Sequence, residues 1–526
     1  MPSNPDIAFF YNGADKKVFS LLLIKPMRTA SGVAPIAIMT KPHNCPHGRC
    51  IYCPGGLNSA FGDIPQSYTG HEPATMRGIA NNYDSYCQTM NRLAQYFLTG
   101  HSPYKAEIIV MGGTFLSLPE SYKKEFIAGI YKALNDFGKN FSSNKKISIL
   151  KLKDFFKDSE NTPELLEKML KMKGKASLNM EKEETENEHG LIRCVALCIE
   201  TKPDYAMQKQ IDEMISFGTT RVETGVQTLK ENVLKFTNRG HTLQDVIKST
   251  QLLKDSFFKV AYHWMPGQPM TTKKEDIQMF SDLFSNPDFK PDGLKIYPLM
   301  VMPGTALETY YKQGKFNPLN DEDAAEIIAE GKKFVPEYCR IYRLQRDIPV
   351  KHSVTGLTKN NLRQLIKQKM DKKKIQCKCI RCREAGIKKV IEGFKEPGPI
   401  SYSSISYNAS KGNEVFIKAE DKKNDSLVGF CRLRLPYEST RPEITERSAG
   451  VRELHVFGTA LPLHAETPDS FQHQGVGQNL LSIAEKTAIE DFDVKKLLVI
   501  SGVGVKEYYK KFGFKKDGAY VSKELK

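Results

Sequence analysis

Three cysteines fall within nine residues of "KPHNCPHGRCIYCPGG" (41–56): Cys45, Cys50 and Cys53, spaced C-x4-C-x2-C, with no fourth cysteine nearby. Thiolates are soft ligands suited to zinc and to iron–sulfur clusters. A structural zinc site wants four closed ligands, commonly as two C-x2-C pairs, and the second pair is missing here. A [4Fe–4S] cube takes one cysteine per iron, so three cysteines leave one iron open to a substrate or cofactor. The competing readings are three unrelated thiols in a loop, or a zinc ion completed by His43 or His47.

"CKCIRC" (377–382) supplies a second group, Cys377, Cys379 and Cys382. A closed zinc site there needs a fourth ligand; Cys339 is the first choice and His352 the second. Near the carboxyl end, "QHQGVGQNLL" has the form Q-x-x-G-x-G followed by a helical pattern. Its glycines let consecutive N–H groups of Gln474, Gly475, Val476, Gly477 and Gln478 face a pyrophosphate at a helix N-terminus. Other polar residues sit on apolar strands: Gly112 and Gly113 end "VMGGT", Glu223 and Gln227 share one face of "ETGVQT", and His263 and Lys295 lie in "YHWMPG" and "LKIYP". The period of two puts Glu223 and Gln227 on one side of their strand. Each reads either as a ligand contact or as a satisfied polar group inside a barrel.

These residues need a scaffold. "APIAIMT", "AEIIVMGGTF", "RCVALCIET", "RVETGVQT", "KVAYHWMPG" and "DGLKIYPL" read as buried strands, alternating with helical segments at 85–98, 204–218 and 243–256. That alternation predicts parallel βαβ units and an α/β barrel or open sheet, with functional residues at strand ends. Residues 139–190 are rich in Lys and Glu and read as a mobile insertion. Beyond about 400 the pattern changes to short strands, a glycine turn and one long amphipathic helix, an α+β unit of its own. The expected divisions are a short segment over 1–30, a barrel over 31–335, a cysteine-bearing linker over 336–398 and the α+β domain over 399–526.

Composition narrows the classes. Lys plus Arg number 77 against 61 Asp plus Glu, a net of +16, which favours a polyanionic partner such as tRNA. The start has no signal-peptide pattern and no apolar run approaches a membrane span. Eleven cysteines, six of them in two tight groups, suit metal binding in a reducing compartment rather than a disulfide framework. The expectation is a cytoplasmic protein.

The first loop resembles that of radical S-adenosylmethionine (SAM) enzymes, whose usual spacing is C-x3-C-x2-C, one residue shorter than here. Tyr52 matches an aromatic often found there, and "VMGGT" a glycine-rich strand end that meets the SAM amino group. The carboxyl-terminal domain resembles the GNAT acetyltransferases. That resemblance implies an acyl-lining strand at Glu453, Leu454, His455 and Val456, and a tyrosine near the thioester sulfur, Tyr509 before Tyr508. An ordered series of motifs, from "KPHNCPHGRCIYCPGG" through "LQRDIP" to "ISGVGVKEYYKKFGF", is similar to the Elongator catalytic subunit family, in its stand-alone archaeal and bacterial form. The resemblance implies a radical SAM partial (β/α) barrel followed by a GNAT-type domain, modifying C5 of the tRNA wobble uridine with a SAM-derived 5′-deoxyadenosyl radical and acetyl-coenzyme A (acetyl-CoA). The product implied is 5-carboxymethyluridine. Catalytic roles then fall to Tyr509, Tyr508, His455 and Glu453, with Lys105 also touching acetyl-CoA. Family members commonly carry a basic amino-terminal segment, whereas here about twenty residues precede "KPMRT", so the mode of tRNA binding is left open. No obligatory large complex is expected, and a homodimer is compatible. The rival readings are a radical enzyme for a small metabolite, a protein lysine acetyltransferase with structural cysteines, and a non-catalytic tRNA-binding scaffold.

Overall fold

Two seven-stranded sheets organise the chain. The computed structural model describes Ile7 and residues 26–156, 163–175, 177–393, 398–458 and 475–526. The first sheet contains β1 (Ala34–Met39), β2 (Lys105–Met111), β3 (Arg193–Thr201), β4 (Arg221–Gln227), β5 (Lys259–Trp264), β6 (Gly293–Ile296) and β7 (Arg340–Arg343). Each strand pairs in parallel with its successor in sequence. β1 and β7 stand at opposite ends of that order, so the barrel is partial. The intervening helices include α1 (Ser85–Leu98), α2 (Gln208–Ser216) and α3 (Leu243–Asp255). Side-chain oxygens cap two of them: Asp84 accepts from the Cys87 N–H, and Thr242 with Asp245 forms a capping box.

Strand periodicity divides the barrel into two environments. Ile36, Ile38, Ile108, Val110, Val222, Val260, Leu294 and Ile341 are fully buried and join the aromatic and aliphatic faces of the helices in one core. The alternate positions face inward, and many are charged: Lys105, Glu107, Arg221, Glu223, Lys259, Lys295 and Arg340 line an internal cavity, with Pro35, Ala37 and Ile109 beside them. The apolar half holds the barrel together, and the polar half gives it a wet, charged lumen.

β7 lies inside the stretch read from sequence as linker. Four residues, Ile341 and Tyr342 flanked by two arginines, carry too little apolar content to read as a buried strand. The expected insertion, 139–190, contains helices at Ile149–Phe155, Pro163–Lys173 and Met180–Asn187 among its described residues. Leu152, Leu165 and Met169 from it are buried in the barrel-side core; the many charges occupy the opposite faces. Of the expected segment 1–30, all but Ile7 and residues 26–30 lie outside the described residues.

The second sheet has the order β8 (Ile400–Ala409), β9 (Gly412–Asp421), β10 (Ser426–Leu435), β11 (Ser448–Val456), β12 (Lys496–Val499), β14 (Tyr520–Glu524), β13 (Lys515–Asp517). All pairs are antiparallel except β11 with β12. Helix α4 (Val476–Glu490) packs Leu480, Leu481, Ala484 and Ala488 against it. The β11–β12 ladder ends at Val451 and Val499, so β11 continues through Val456 with β10 on one side and a gap on the other. Among the described residues, no helix is long and apolar enough to cross a membrane.

Candidate functional site

At the carboxyl ends of the barrel strands, Cys45, Cys50 and Cys53 line a cavity of about 130 Å³ with Gly113, Glu200, Gln227, His263 and Arg239. Cys45 Sγ lies 3.3 Å from Thr114 Oγ1, and Cys53 Sγ accepts from the Ser67 N–H at 3.2 Å. Cys50 Sγ is 3.3 Å from both His47 Nε2 and Arg239 Nη1. Lys202 adds a second cation, 3.0 Å from His47 Nδ1. His47 is thus occupied by Cys50 and Lys202, and burial with these two cations pushes its pKa down to about 4. His43 instead approaches the carbonyls of Lys41 and Thr114, each at 3.3 Å.

The glycines of "VMGGT" are there for space. Gly112 has φ +129°, and a side chain on it would meet Thr40 Oγ1 at 2.1 Å. Gly113, at φ +80°, would place one 3.6 Å from Cys45 Sγ. Only glycine lets this turn pass so close to the cysteine loop. Tyr52 is buried beside the loop, and burial holds its hydroxyl protonated.

The two cysteine groups differ in spacing. Among the described residues, Cys377, Cys379 and Cys382 offer sulfurs within 4.8 Å of one another, and Cys45, Cys50 and Cys53 form no such tight set. Convergent sulfurs suit one ion with metal–sulfur bonds of about 2.3 Å; a cube binds each sulfur to a different iron. The expected fourth ligands are not in the tight set. Cys339 is buried and its carbonyl accepts from the Ile380 N–H at 2.9 Å, so its backbone meets the loop while its thiol stays outside. His352 is stacked on His71 with ring centroids 3.6 Å apart. Lys332 Nζ lies 3.7 Å from Cys382 Sγ.

In mid-barrel the inward positions of four strands meet. Lys295 Nζ is 2.8 Å from Glu200 and also pairs with Glu223. His263 Nε2 lies 3.0 Å from Glu223 Oε2, and the Tyr68 hydroxyl donates to Glu200 at 2.9 Å. Arg221 pairs with Glu107 and lies 3.2 Å from Glu223 Oε1. Although Glu223 is completely buried, these cations hold its carboxyl well below the ordinary range. Glu223 Oε1 and Arg221 Nε nevertheless lack a hydrogen-bonding partner, so this network is not closed. Glu223 and Gln227 share a strand face as expected, but the structure parts them: Glu223 joins this charged group, and Gln227 lines the cysteine cavity at a strained φ of +70°.

At the opposite, amino-terminal ends of the strands lies a cavity of about 1500 Å³, walled by Lys105, Arg221 and Lys259 from the barrel. Its other wall holds Glu453 to Val456, Gly475, Gly477, Gln478, Tyr508 and Tyr509. The gap beside β11 opens here, leaving backbone groups that want partners. Gly475 takes φ +79° ahead of α4, and a side chain on Gly477 would meet the Tyr508 hydroxyl at 2.7 Å. Val476 points into the core, so it offers the cavity only its backbone. Gln474 lies outside the described residues. Tyr509 is packed edge-on against Phe514 and Tyr508, and burial raises both tyrosines, Tyr508 to about 12. Burial also brings Lys105 down to about 8.

Glu453 and His455 are both already engaged. Glu453 pairs with Lys259 and, at 2.9 Å, with Arg432, which hold its pKa near 2; it is a fixed anion. His455 Nε2 sits 2.7 Å from the Ser31 carbonyl, so that nitrogen carries the proton.

The two cavities share Ala37, Met111 and Arg343. The six steps from Arg221 to Gln227, at roughly 3.3 Å each, span about 20 Å of strand between them. Sequence reasoning missed Glu200, Arg221, Lys259, Tyr342 and Arg239. For the first three a signal existed, because charges alternate with apolar residues on strands buried on both faces, which marks a polar lumen; Tyr342 lies on β7, which does not read as a strand. Arg239 lies in a loop, where no periodicity reveals it.

The geometry agrees with the comparisons. A model of the Radical SAM superfamily matches residues 39–283, and one of the Radical SAM C-terminal domain matches 291–372. The tRNA uridine(34) acetyltransferase of Methanocaldococcus infernus is 44% identical over all of this chain and 92% of its own length. The human Elongator complex protein 3 is 40% identical over 97% of this chain and 87% of its own. A solved structure of the archaeal Methanocaldococcus infernus Elp3, with N-terminal residues 1–46 deleted, superposes with a TM-score of 0.77 at 39% identity, covering 94% of this chain and all of the other. A partial radical SAM barrel joined to an α+β domain, at this identity over nearly the whole length, leaves one assignment: the chain belongs to the Elongator complex protein 3 family of radical SAM proteins.

Proposed function

We propose that this protein builds 5-carboxymethyluridine at the wobble position (U34) of tRNA, drawing the two added carbons from acetyl-CoA. The observation that carries this is the lumen: the cysteine cavity and the acyl-side cavity meet inside one barrel. An acetyl group held at one end can reach a radical made at the other without leaving the protein.

The cysteine loop fits a [4Fe–4S] cluster by its donor set, three soft thiolates lining one small cavity without converging on a single point. When bound, the cluster with SAM supplies a 5′-deoxyadenosyl radical able to take a hydrogen atom from a methyl group. Cys45, Cys50 and Cys53 hold the cluster, and Arg239 and Lys202 offset its thiolate charge. Gly112 and Gly113 give SAM room, and Gln227 offers it a side-chain amide oxygen that has no partner within the protein. At the other end, the N–H groups from Gly475 to Gln478 cradle the pyrophosphate at the start of α4, with Lys105 as a further cation. β11 receives the pantetheine amides along its open edge, and Tyr509 and Tyr508 stand at the thioester sulfur. Cys377, Cys379 and Cys382 supply three of the four ligands of a structural zinc ion bracing the two domains; metal analysis of the purified protein checks this.

The net charge of +16 supports the tRNA substrate, and the protein acts in the cytoplasm without an obligatory larger assembly. Anaerobic incubation with SAM, acetyl-CoA, a reductant and tRNA, followed by mass spectrometry of nucleosides, should reveal carboxymethyluridine. Acetylated protein lysines with unmodified tRNA would sink the reading.

A further inference from the structure

The three sulfurs of the barrel's cysteine loop meet different donors. Cys45 Sγ faces the Thr114 hydroxyl and Cys53 Sγ the Ser67 N–H, both uncharged. Cys50 Sγ faces two nitrogens at 3.3 Å, His47 Nε2 and Arg239 Nη1. Behind His47 stands Lys202, so both approaches to this sulfur carry a cation.

Backbone groups set Arg239 in place. Its Nη2 donates to the Gly225 carbonyl at 2.6 Å, and its own N–H donates to the Leu234 carbonyl at 3.0 Å. A side chain on Gly225 would meet Arg239 Nη2 at 2.8 Å, so the glycine makes room for the guanidinium. The loop around it is tied to the cysteines: Asn238 Nδ2 donates to the Arg49 carbonyl at 2.8 Å, and the Ile51 N–H to the Thr237 carbonyl at 3.2 Å. Arg239 is only 6% exposed. Among the described residues no carboxylate forms a salt bridge with it; its electrostatic partners are Tyr52, Cys50 and Cys45. A buried cation needs a counter-charge, and the one in contact here is the Cys50 thiolate.

Lys202 reaches the same sulfur through a ring. Its Nζ stands 3.0 Å from His47 Nδ1 and 3.1 Å from Asp204 Oδ2. An ammonium only donates, so Nδ1 accepts and the ring proton sits on Nε2, facing Cys50 Sγ. Gly240, at φ +72°, passes so close that a side chain there would meet His47 Cβ at 2.4 Å. Lys202, His47 and Cys50 thus form a line of donors that ends on one sulfur.

We propose that Arg239 directly, and Lys202 through His47, raise the reduction potential of the [4Fe–4S] cluster by drawing electron density from the Cys50 thiolate. This rests on the cluster reading above. Reduction brings one electron from an external low-potential one-electron donor onto the cluster and its thiolates; no bond breaks and no proton moves. The added negative charge strengthens every hydrogen bond that ends on a cluster sulfur, most of all those backed by a cation. Hydrogen bonds to sulfur and net charge are what set the potentials of such clusters. Arg239 touches the ligand itself. Lys202 is a positioning residue, because it acts on the sulfur by fixing and polarising His47.

The test is a potential, measured without SAM or tRNA. EPR-monitored titration with dithionite, on the anaerobically reconstituted full chain, gives the midpoint of the one-electron couple at equal iron and sulfide content. Arg239→Met should disfavour reduction about tenfold, a midpoint roughly 59 mV more negative. Lys202→Met, which removes no contact with a cysteine, should disfavour it about threefold, and that shift should largely vanish in a His47→Phe background. A merely structural part for these residues would change iron content or melting and leave the midpoint of the loaded protein where it was. An unchanged midpoint in Arg239→Met overturns the proposal, and an equal Lys202→Met shift with and without His47 overturns the relay. Should Arg239→Met fail to hold iron, Lys202→Met decides alone, and an unmoved midpoint there overturns the proposal. A wild-type protein that takes up no iron and sulfide overturns the cluster reading itself, and this inference with it.

Discussion

Two ionic networks are buried in this molecule, and they differ in closure. One joins the domains: Arg452 holds Asp292 at 2.7 Å and Glu414 at 2.7 Å, Arg434 holds Asp255 at 2.6 Å, and Lys254 reaches Glu414 at 3.4 Å. Every side chain in it is fully or almost fully buried, and the remaining donors find the carbonyls of Phe258, Ala409, Ser410 and Lys290. No buried atom of these six residues lacks a hydrogen-bond partner; at the network's edge Arg432 Nη1, 3.4 Å from Asp292 Oδ1, is the one exception. The other network, around Glu223 and Lys295 in the lumen, leaves Glu223 Oε1 and Arg221 Nε without a hydrogen-bond partner and borders open volume. A closed network fixes geometry; an incomplete one waits for a ligand. The first aligns β11 with the barrel so that the second can work on what β11 holds.

The largest effect should come from breaking the closed network. Asp292→Ala strands Arg452 without its main counter-ion, a change that costs about 3–5 kcal/mol in buried pairs. Calorimetric melting should fall by several degrees, with coenzyme A binding and iron retention lost together because the domains lose their alignment. Unchanged melting would contradict the structural role. In the lumen the balance should reverse. Glu223→Gln leaves Lys295 paired with Glu200 and should cost only about 1–2 kcal/mol, while carboxymethyluridine formation drops by a hundredfold or more. A stability loss as large as that of Asp292→Ala would erase the distinction.

What was legible in the sequence follows from the same division. The strands and the helices 85–98 and 243–256 were readable because period-two and period-3.6 apolar patterns record core packing, and the core is most of what holds the barrel. The cysteines and the glycine turn were readable because metal and phosphate chemistry demands particular residues at close spacing. β7 was not, since Arg340 and Tyr342 serve the lumen and break the apolar run. Nor were Asp292, Glu414 and Arg452, which are 122 and 38 residues apart along the chain and become partners only when two domains dock. Cys339 was expected beside Cys377 on proximity in sequence; the structure brings its backbone there and leaves its sulfur out of the tight set.

The smallest effect tests the two networks at one pH. Lys105, in the cavity wall, and Lys254, in the closed network, are each brought down to about 8 by burial. In the proposed reading Lys105 supplies charge to coenzyme A, whose 3′-phosphate is fully ionised above its second pKa of about 6. Raising pH from 7 to 9 therefore removes the protein's charge and not the ligand's, and affinity should fall severalfold; Lys105→Met should bind weakly and lose that pH dependence. For Lys254 the sign is opposite. Its folded pKa lies below the ordinary lysine value of about 10.4, so the folded state binds fewer protons than the unfolded one and this residue's contribution to stability rises as pH passes 8. Against Lys254→Met as reference, wild-type melting should gain on the variant between pH 7 and 9 while coenzyme A affinity declines. If both quantities moved in the same direction, the two lysines would belong to one coupled system, and the separation between a sealed junction and an open lumen would not hold.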